Sequence, residues 1–382
     1  MAPLRALIAP DAYKGSLTAK DVAETIAAAA GLEWPELQCI LAPLADGGEG
    51  TIDALIEATQ GHTVNASVTG PMGDRVETCY GVLGDGITAV LEIASVAGLP
   101  MVPFARRDPR RATTRGLGEL LRKALDDGFR HFIVGLGGSA TNDGGMGFLQ
   151  ALGTVFYDQS GLIAGSFTED LKLIKRASFH ALDPRLQDCS ILIASDVDNP
   201  LCGASGATFV YGPQKGITSQ ELFAWDQAMA RYASGVEEAL DRAVQNRPGA
   251  GAAGGMGFAL LALGATVQPG AAVVSQYAKL ADHLKMAAFV ITGEGQSDTQ
   301  TLAGKLPAHV AKLATQRGLP VLLLSGSLGD DCDVLYNVFS SLHSTISRPM
   351  PLDEAIKDAR AHLFQAARNL FRTLKMAAFS LK

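Results

Sequence analysis

The chain predicts an α/β protein of two domains, and three observations carry that expectation. Its 382 residues exceed one typical domain. Apolar strand-like runs alternate with helical segments at both chain ends, the pattern of an α/β layer fold. Near Gly61 the texture changes to alternating β-formers around a turn. The simplest architecture is a Rossmann-like α/β domain built from both chain ends, residues 1–65 plus 287–382. A second α/β domain, residues 66–286, is inserted between them and contains a mixed sheet.

The elements follow in order. Leu4 to Ala9 is an apolar strand, and Thr18 to Ala30 is an alanine-rich helix with Ser16 or Thr18 as N-cap. A second unit repeats this, with a strand over Gln38 to Leu44 and a helix over Gly50 to Ala58. His62 to Ser67 and Arg75 to Leu83 form strands around the turn Gly70-Pro71-Met72-Gly73-Asp74. A helix near Gly116 to Asp127 precedes the strand His131 to Val134, and the strand Ser190 to Ala194 follows. A long helix spans Ser219 to Gln245, then a loop Arg247 to Gly257. The α/β rhythm resumes with strand Ala288 to Thr292, helix Pro307 to Arg317, strand Val321 to Ser325, a final strand near Asn337 to Ser341, and helix Asp353 to Met376.

Composition narrows the function classes. A formal net charge of −7 and no Lys/Arg run argue against a nucleic-acid partner. No stretch of eighteen apolar residues spans a membrane, and the N-terminus lacks a signal-peptide pattern. The five cysteines are widely spaced without a C-x-x-C pair, so they read as reduced thiols of a cytoplasmic protein.

The 42 glycines exceed the average usage of about 7% and concentrate at strand-to-helix turns. The densest turn is GLGGSATNDGGMG, residues 135–147. Its glycines let backbone amides approach an anion, and Ser139, Thr141, Asn142 and Asp143 add polar groups. Asp46-Gly47-Gly48-Glu49-Gly50-Thr51 opens a helix in the same manner. Asp11, Asp46, Asp196 and Glu294 each follow an apolar strand, where α/β sheets bind ligands. Such acids hold Mg²⁺ or take a proton, or simply cap the next helix. Lys14 and Lys305 bring basic groups to two of these turns, and Asp198-Asn199-Pro200-Leu201-Cys202-Gly203 and Gly212-Pro213-Gln214-Lys215-Gly216 read as further loops on the same cleft. Gly144-Gly145-Met146-Gly147-Phe148 recurs as Gly254-Gly255-Met256-Gly257-Phe258, either by coincidence or as a pseudo-repeat of two helix starts.

No P-loop motif, G-x-S-x-G elbow or H-E-x-x-H pair is present. Residues 135–140 fit G-x-G-x-x-A, which leaves an NAD-dependent hydroxy-acid dehydrogenase as a rival class.

The chain resembles the type I (bacterial) glycerate kinases almost end to end. The matching segments are APDAYKGSL at 9–17, PLADGGEGT at 43–51, GPMGDR at 70–75, GLGGSATNDGGMG at 135–147, ASDVDNPLCGASGAT at 194–208, GPQKG at 212–216 and TGEGQSDTQTLAGK at 292–305. The resemblance implies ATP-dependent phosphorylation of D-glycerate at the 2-hydroxyl, with the 3-hydroxyl as the alternative, and ligands in the cleft between domains. Under it, Lys14 and Lys305 neutralise phosphate charge, and Asp196, with Asp46 or Glu294, holds Mg²⁺ or accepts the hydroxyl proton. Gly137, Gly138, Ser139, Thr141, Asn142 and Asp143 would meet nucleotide phosphates. Ser16, Asp46, Gly47, Gly48, Glu49, Gly50 and Arg75 would meet glycerate, with Arg75 clamping its carboxylate. A homodimer is compatible with the chain, whose oligomeric state stays open.

Overall fold

The computed structural model describes residues 3–302 and 304–380. Tertiary contacts divide the chain into two compact units, Met1–Asp46 with Ala271–Lys382, and Gly47–Gly270. The borders fall at 46/47 and 270/271, not at 65/66 and 286/287. The strand His62–Thr69 pairs with Arg75–Val82 and so belongs to the second unit's sheet. The helix Leu280–Met286 packs on the strand Arg5–Ile8 and so belongs to the first unit.

The first unit is a parallel five-stranded sheet in the order Ser341–Ser344, Val321–Ser325, Phe289–Thr292, Arg5–Ile8, Gln38–Leu41. Counted along the chain this is the doubly wound order 2-1-3-4-5, whose direction reverses between Arg5–Ile8 and Phe289–Thr292. Ligands of such sheets sit beyond the carboxyl ends of the strands at that reversal. Ala6, Leu7 and Ile8 are fully buried, as a strand covered on both faces requires. The first helix, Ala19–Glu33, starts at Thr18 and not at Ser16. Thr18 Oγ1 accepts the Asp21 N–H while the Asp21 carboxylate accepts the Thr18 N–H, a complete capping box. Its buried face, Val22, Ile26, Ala29 and Ala30, joins Leu363, Ala367 and Phe371 in the unit's core.

The main sheet of the second unit has six strands in the order Thr266–Gln268, Ser190–Ala194, His131–Gly135, Thr88–Glu92, Arg75–Val82, His62–Thr69. The first four are parallel, and the last two add an antiparallel hairpin, so the sheet is mixed. Thr88–Glu92 escapes the sequence pattern because all five residues are buried and nothing alternates. It joins the hairpin to the parallel half.

Four further segments differ from expectation. The last strand is Ser341–Ser344, preceded by a 3₁₀ stretch at Cys332–Asn337. The final helix is two, Leu352–Lys357 and Ala359–Ser380. GPQKG closes the helix Ala207–Lys215 instead of forming a loop. The supposed loop before Gly257 is the start of a helix, Ala252–Ala262, broken by positive φ at Ala253, Gly254 and Gly255. No helix among the described residues is long and apolar enough to cross a membrane.

Candidate active site

Three of the four strand-end acids converge in the first unit. Asp11 follows Arg5–Ile8, Glu294 follows Phe289–Thr292, and Asp46 follows Gln38–Leu41, so they line the carboxyl edge around the reversal point. Lys14 Nζ lies 3.1 Å from Asp46 Oδ2, with its head largely exposed. The cost of leaving water is outweighed for Lys14 by Asp46, Asp11 and Glu294, which hold its pKa above the ordinary value. Ser16 donates its hydroxyl to the Tyr13 carbonyl (2.9 Å) and shapes the turn that presents Lys14.

Glu294 is buried and well supplied with donors. Ser297 Oγ and Thr301 Oγ1 both reach Oε1 (3.2 and 2.7 Å), and Lys305 Nζ lies 3.5 Å from Oε2. Ser325 Oγ lies 2.8 Å from Ser297 Oγ and steadies that hydroxyl. Lys305 stands at the N-cap position of the helix Leu306–Thr315, its head partly exposed.

Asp11 is the most perturbed member. Burial first, then Asp46, push its pKa up to about 8, against the pull of Lys14 and the Ala12 N–H. A carboxyl whose folded pKa lies above its unfolded value gives its full stability below the unfolded pKa and loses it as pH rises through the folded one. For Asp11 that window runs from about 3.8 to about 8. Asp11→Asn removes the loss. Its melting temperature relative to the parent is therefore expected to climb between pH 5 and pH 8 and level off above; a pH-independent difference contradicts this.

The fourth acid belongs to the other unit. Asp196 follows Ser190–Ala194 in the second unit, where its Oδ1 accepts the Gly270 N–H at 2.9 Å. Gly47 and Gly48 run over the ends of that unit's strands so closely that side chains are excluded. A Cβ on Gly47 would meet the Ala194 carbonyl oxygen at 2.6 Å, and one on Gly137 would meet Gly48 Cα at 2.4 Å. The Gly137 N–H is bonded to the Gly47 carbonyl (3.1 Å). Glu49 is exposed, and Gly50 precedes the helix Thr51–Thr59.

Glu92, a further strand-end acid, is hidden in the sequence with its strand. It accepts the Thr51 N–H at 2.8 Å and so caps that helix from outside, and burial pushes its pKa up to about 8.

The polar groups of the glycine-rich loop bond mainly inward, to the protein around it. The Asp143 carboxylate takes the Thr114 N–H and hydroxyl (2.8 Å each) and the Gly145 and Gly147 amides (3.1 and 3.3 Å). Burial raises its pKa against these donors. Asn142 Nδ2 donates to Thr208 Oγ1 (3.0 Å), and Thr141 gives its carbonyl to Lys215 Nζ (2.6 Å). Thr141, Asn142 and Asp143 are therefore buried struts, and a ligand would meet the shoulder Gly137–Ser139, where Gly138 is exposed. Lys215 escapes the sequence pattern because GPQKG reads as a loop; its Nζ also donates to Ser139 Oγ at 3.0 Å.

The echoed motif is a packing device. Gly144 N–H bonds the Gly254 carbonyl (3.0 Å), and a Cβ on Gly255 would sit 2.6 Å from Gly144 Cα. The two Gly-Gly pairs interlock backbone to backbone, each leading into its own helix.

Arg75, expected to clamp glycerate, lies on the hairpin with Nη1 3.4 Å from Glu119 and Nη2 donating to the Ser67 carbonyl. Glu119 also holds Thr69 and Arg115, so Arg75 is engaged within the protein. The dinucleotide fingerprint fails on geometry. Ten residues separate the strand His131–Gly135 from the helix Met146–Ala151, so the loop does not lead directly into a helix.

Residues 6–375 match the model of the glycerate kinase family. The chain is 43% identical to the glycerate 2-kinase of Escherichia coli (strain K12), over 97% of this chain and 98% of that one. It is 41% identical to the glycerate kinase of Bacillus subtilis (strain 168), over 98% of each. A Salmonella typhimurium LT2 crystal structure, provisionally assigned as glycerate kinase 2, superposes with a TM-score of 0.84 at 42% identity, covering 98% of this chain and 99% of that one.

Proposed function

The chain belongs to the glycerate kinase family, and from that premise we propose that it transfers the γ-phosphoryl group of ATP to the 2-hydroxyl of D-glycerate, giving 2-phosphoglycerate and ADP. The similarity to a relative named glycerate 2-kinase carries the choice of hydroxyl. The acid–lysine cluster at the sheet's reversal point supports the chemistry.

Phosphoryl transfer needs positioning and charge neutralisation more than covalent chemistry. Lys14 and Lys305 would neutralise phosphoryl oxygens, each already held beside a carboxylate. Glu294 would accept the proton of the attacking hydroxyl; Ser297, Thr301 and Lys305 hold its carboxylate in a fixed position. The Gly137–Ser139 shoulder would receive nucleotide phosphates, while Thr141, Asn142 and Asp143 hold its shape.

The oxygen donors of Asp46 and Asp196 fit a hard cation, and each qualifies for the one or two carboxylates by which proteins hold Mg²⁺ beside substrate phosphates. Bound there, the ion would supply charge neutralisation to the triphosphate. Ser16 would act through the Lys14 turn, and Gly47 to Gly50 through backbone amides. Arg75 could bind glycerate only by leaving Glu119. The five thiols, none in a disulfide, support a cytoplasmic setting.

Phosphorus NMR of the product tests the choice of hydroxyl. A phosphate on C2 couples to one carbon-bound proton and gives a doublet; one on C3 couples to two and gives a triplet. A doublet is expected, and a triplet overturns the 2-hydroxyl assignment.

A further inference from the structure

Lys215 is the least conventional charged group in the molecule. It is 4% exposed, at the last turn of the helix Ala207–Lys215, and its ammonium reaches back to Ser139 Oγ (3.0 Å) and the Thr141 carbonyl (2.6 Å). An ammonium has three protons to donate, and these two partners are both neutral. Buried lysines are normally paired with a carboxylate, because burying an uncompensated charge is costly. The charged groups around it do not close that gap. From the glycine-rich loop comes Asp143, whose oxygens are taken by Thr114, Gly145 and Gly147. From the segment against Gly216 come Arg107, held on the Val102 and Gln214 carbonyls, and Asp108, paired with Arg110. The helix Ala252–Ala262 brings no charged residue.

We propose that Lys215 is the buried cation that a phosphate at the Gly137–Ser139 shoulder completes, so that nucleotide binding draws a proton onto it. This rests on the shoulder being the nucleotide phosphate site. The side chain one bond away, Ser139, is 5% exposed and continues into the exposed Gly138, so a phosphate bonded to Ser139 would lie close to the ammonium. Burial, opposed by Asp143, brings the Lys215 pKa down to about 7. Near neutral pH the unliganded protein is therefore a mixture of both forms, and an adjacent anion favours the charged one.

The test is calorimetry of ATP–magnesium binding, glycerate omitted, in buffers of differing ionisation enthalpy at pH 8, where the nucleotide is fully ionised. Uptake of about one proton is expected, along with an ATP affinity that falls by up to about tenfold per pH unit above pH 7. Lys215→Met should bind at least about tenfold more weakly and take up no proton. Lys215→Arg, permanently charged, should bind with no uptake. Binding by the parent without proton uptake, or uptake that survives in either variant, overturns the role of Lys215. The parent's own pH profile decides the matter if both variants misfold. No ATP binding by the parent removes the nucleotide site itself, and Lys215's role with it.

Discussion

Glu294→Gln is expected to lower kcat for glycerate phosphorylation by about two to four orders of magnitude while leaving the fold intact. The glutamine keeps a carbonyl oxygen where Oε1 accepts Ser297 and Thr301, so the local hydrogen bonds survive. What it loses is the negative charge facing Lys305 and the capacity to hold a proton. KM for glycerate should change little, because the lost interaction belongs to the transition state. The same substitution at Asp196 is informative by contrast. If Asp196 only helps to hold magnesium, Asp196→Asn should weaken the dependence on magnesium concentration and spare kcat at saturating metal. A Glu294→Gln enzyme with near-parental kcat would move the base elsewhere, and Asp11 is the next carboxyl at that edge.

Much of this arrangement is legible from residues alone, and each exception has its own physical cause. The strand-end acids of the first unit follow from apolar runs that stop at a carboxylate, and the reversal point of the sheet gathers three of them. Asp196 obeys the same rule, but in the second unit it is tied to a backbone amide, the helix-capping use of such an acid. Pattern reading fails where burial is complete. Thr88–Glu92 has no alternation to reveal it, and its terminal Glu92 vanished with it. Lys215 failed for the converse reason. A lysine beside glycine and proline reads as exposed, and only the tertiary fold places it under the glycine-rich loop. That loop illustrates a third limit. Its composition predicts anion contact throughout, yet Asp143 and Asn142 bond inward to Thr114 and Thr208, so much of its polarity anchors the loop to its neighbours.

Gly254→Ala is expected to damage stability severely. Gly254 sits at φ +67°, where an L side chain costs roughly 1–2 kcal/mol. Its Cβ would also stand 2.0 Å from the Thr141 carbonyl oxygen and 2.8 Å from Asn142 Cα, both backbone, so no rotamer relieves the overlap. Moving that backbone breaks the Gly144–Gly254 hydrogen bond and shifts the carbonyl that Lys215 holds. Together these predict a loss of about 3 kcal/mol or more and a melting temperature lower by about 6–12 °C. Gly138→Ala is the control. Its φ is similarly positive, +75°, but the nearest atom to its Cβ is Ala94 Cβ at 3.8 Å, so only the conformational cost of about 1–2 kcal/mol remains. The pair separates two demands on glycine within one loop system, left-handed backbone at Gly138 and backbone-on-backbone packing at Gly254. Thermal melts of both decide it. Equal losses would mean that φ alone accounts for Gly254, and that the interlock of the two Gly-Gly pairs contributes nothing to stability.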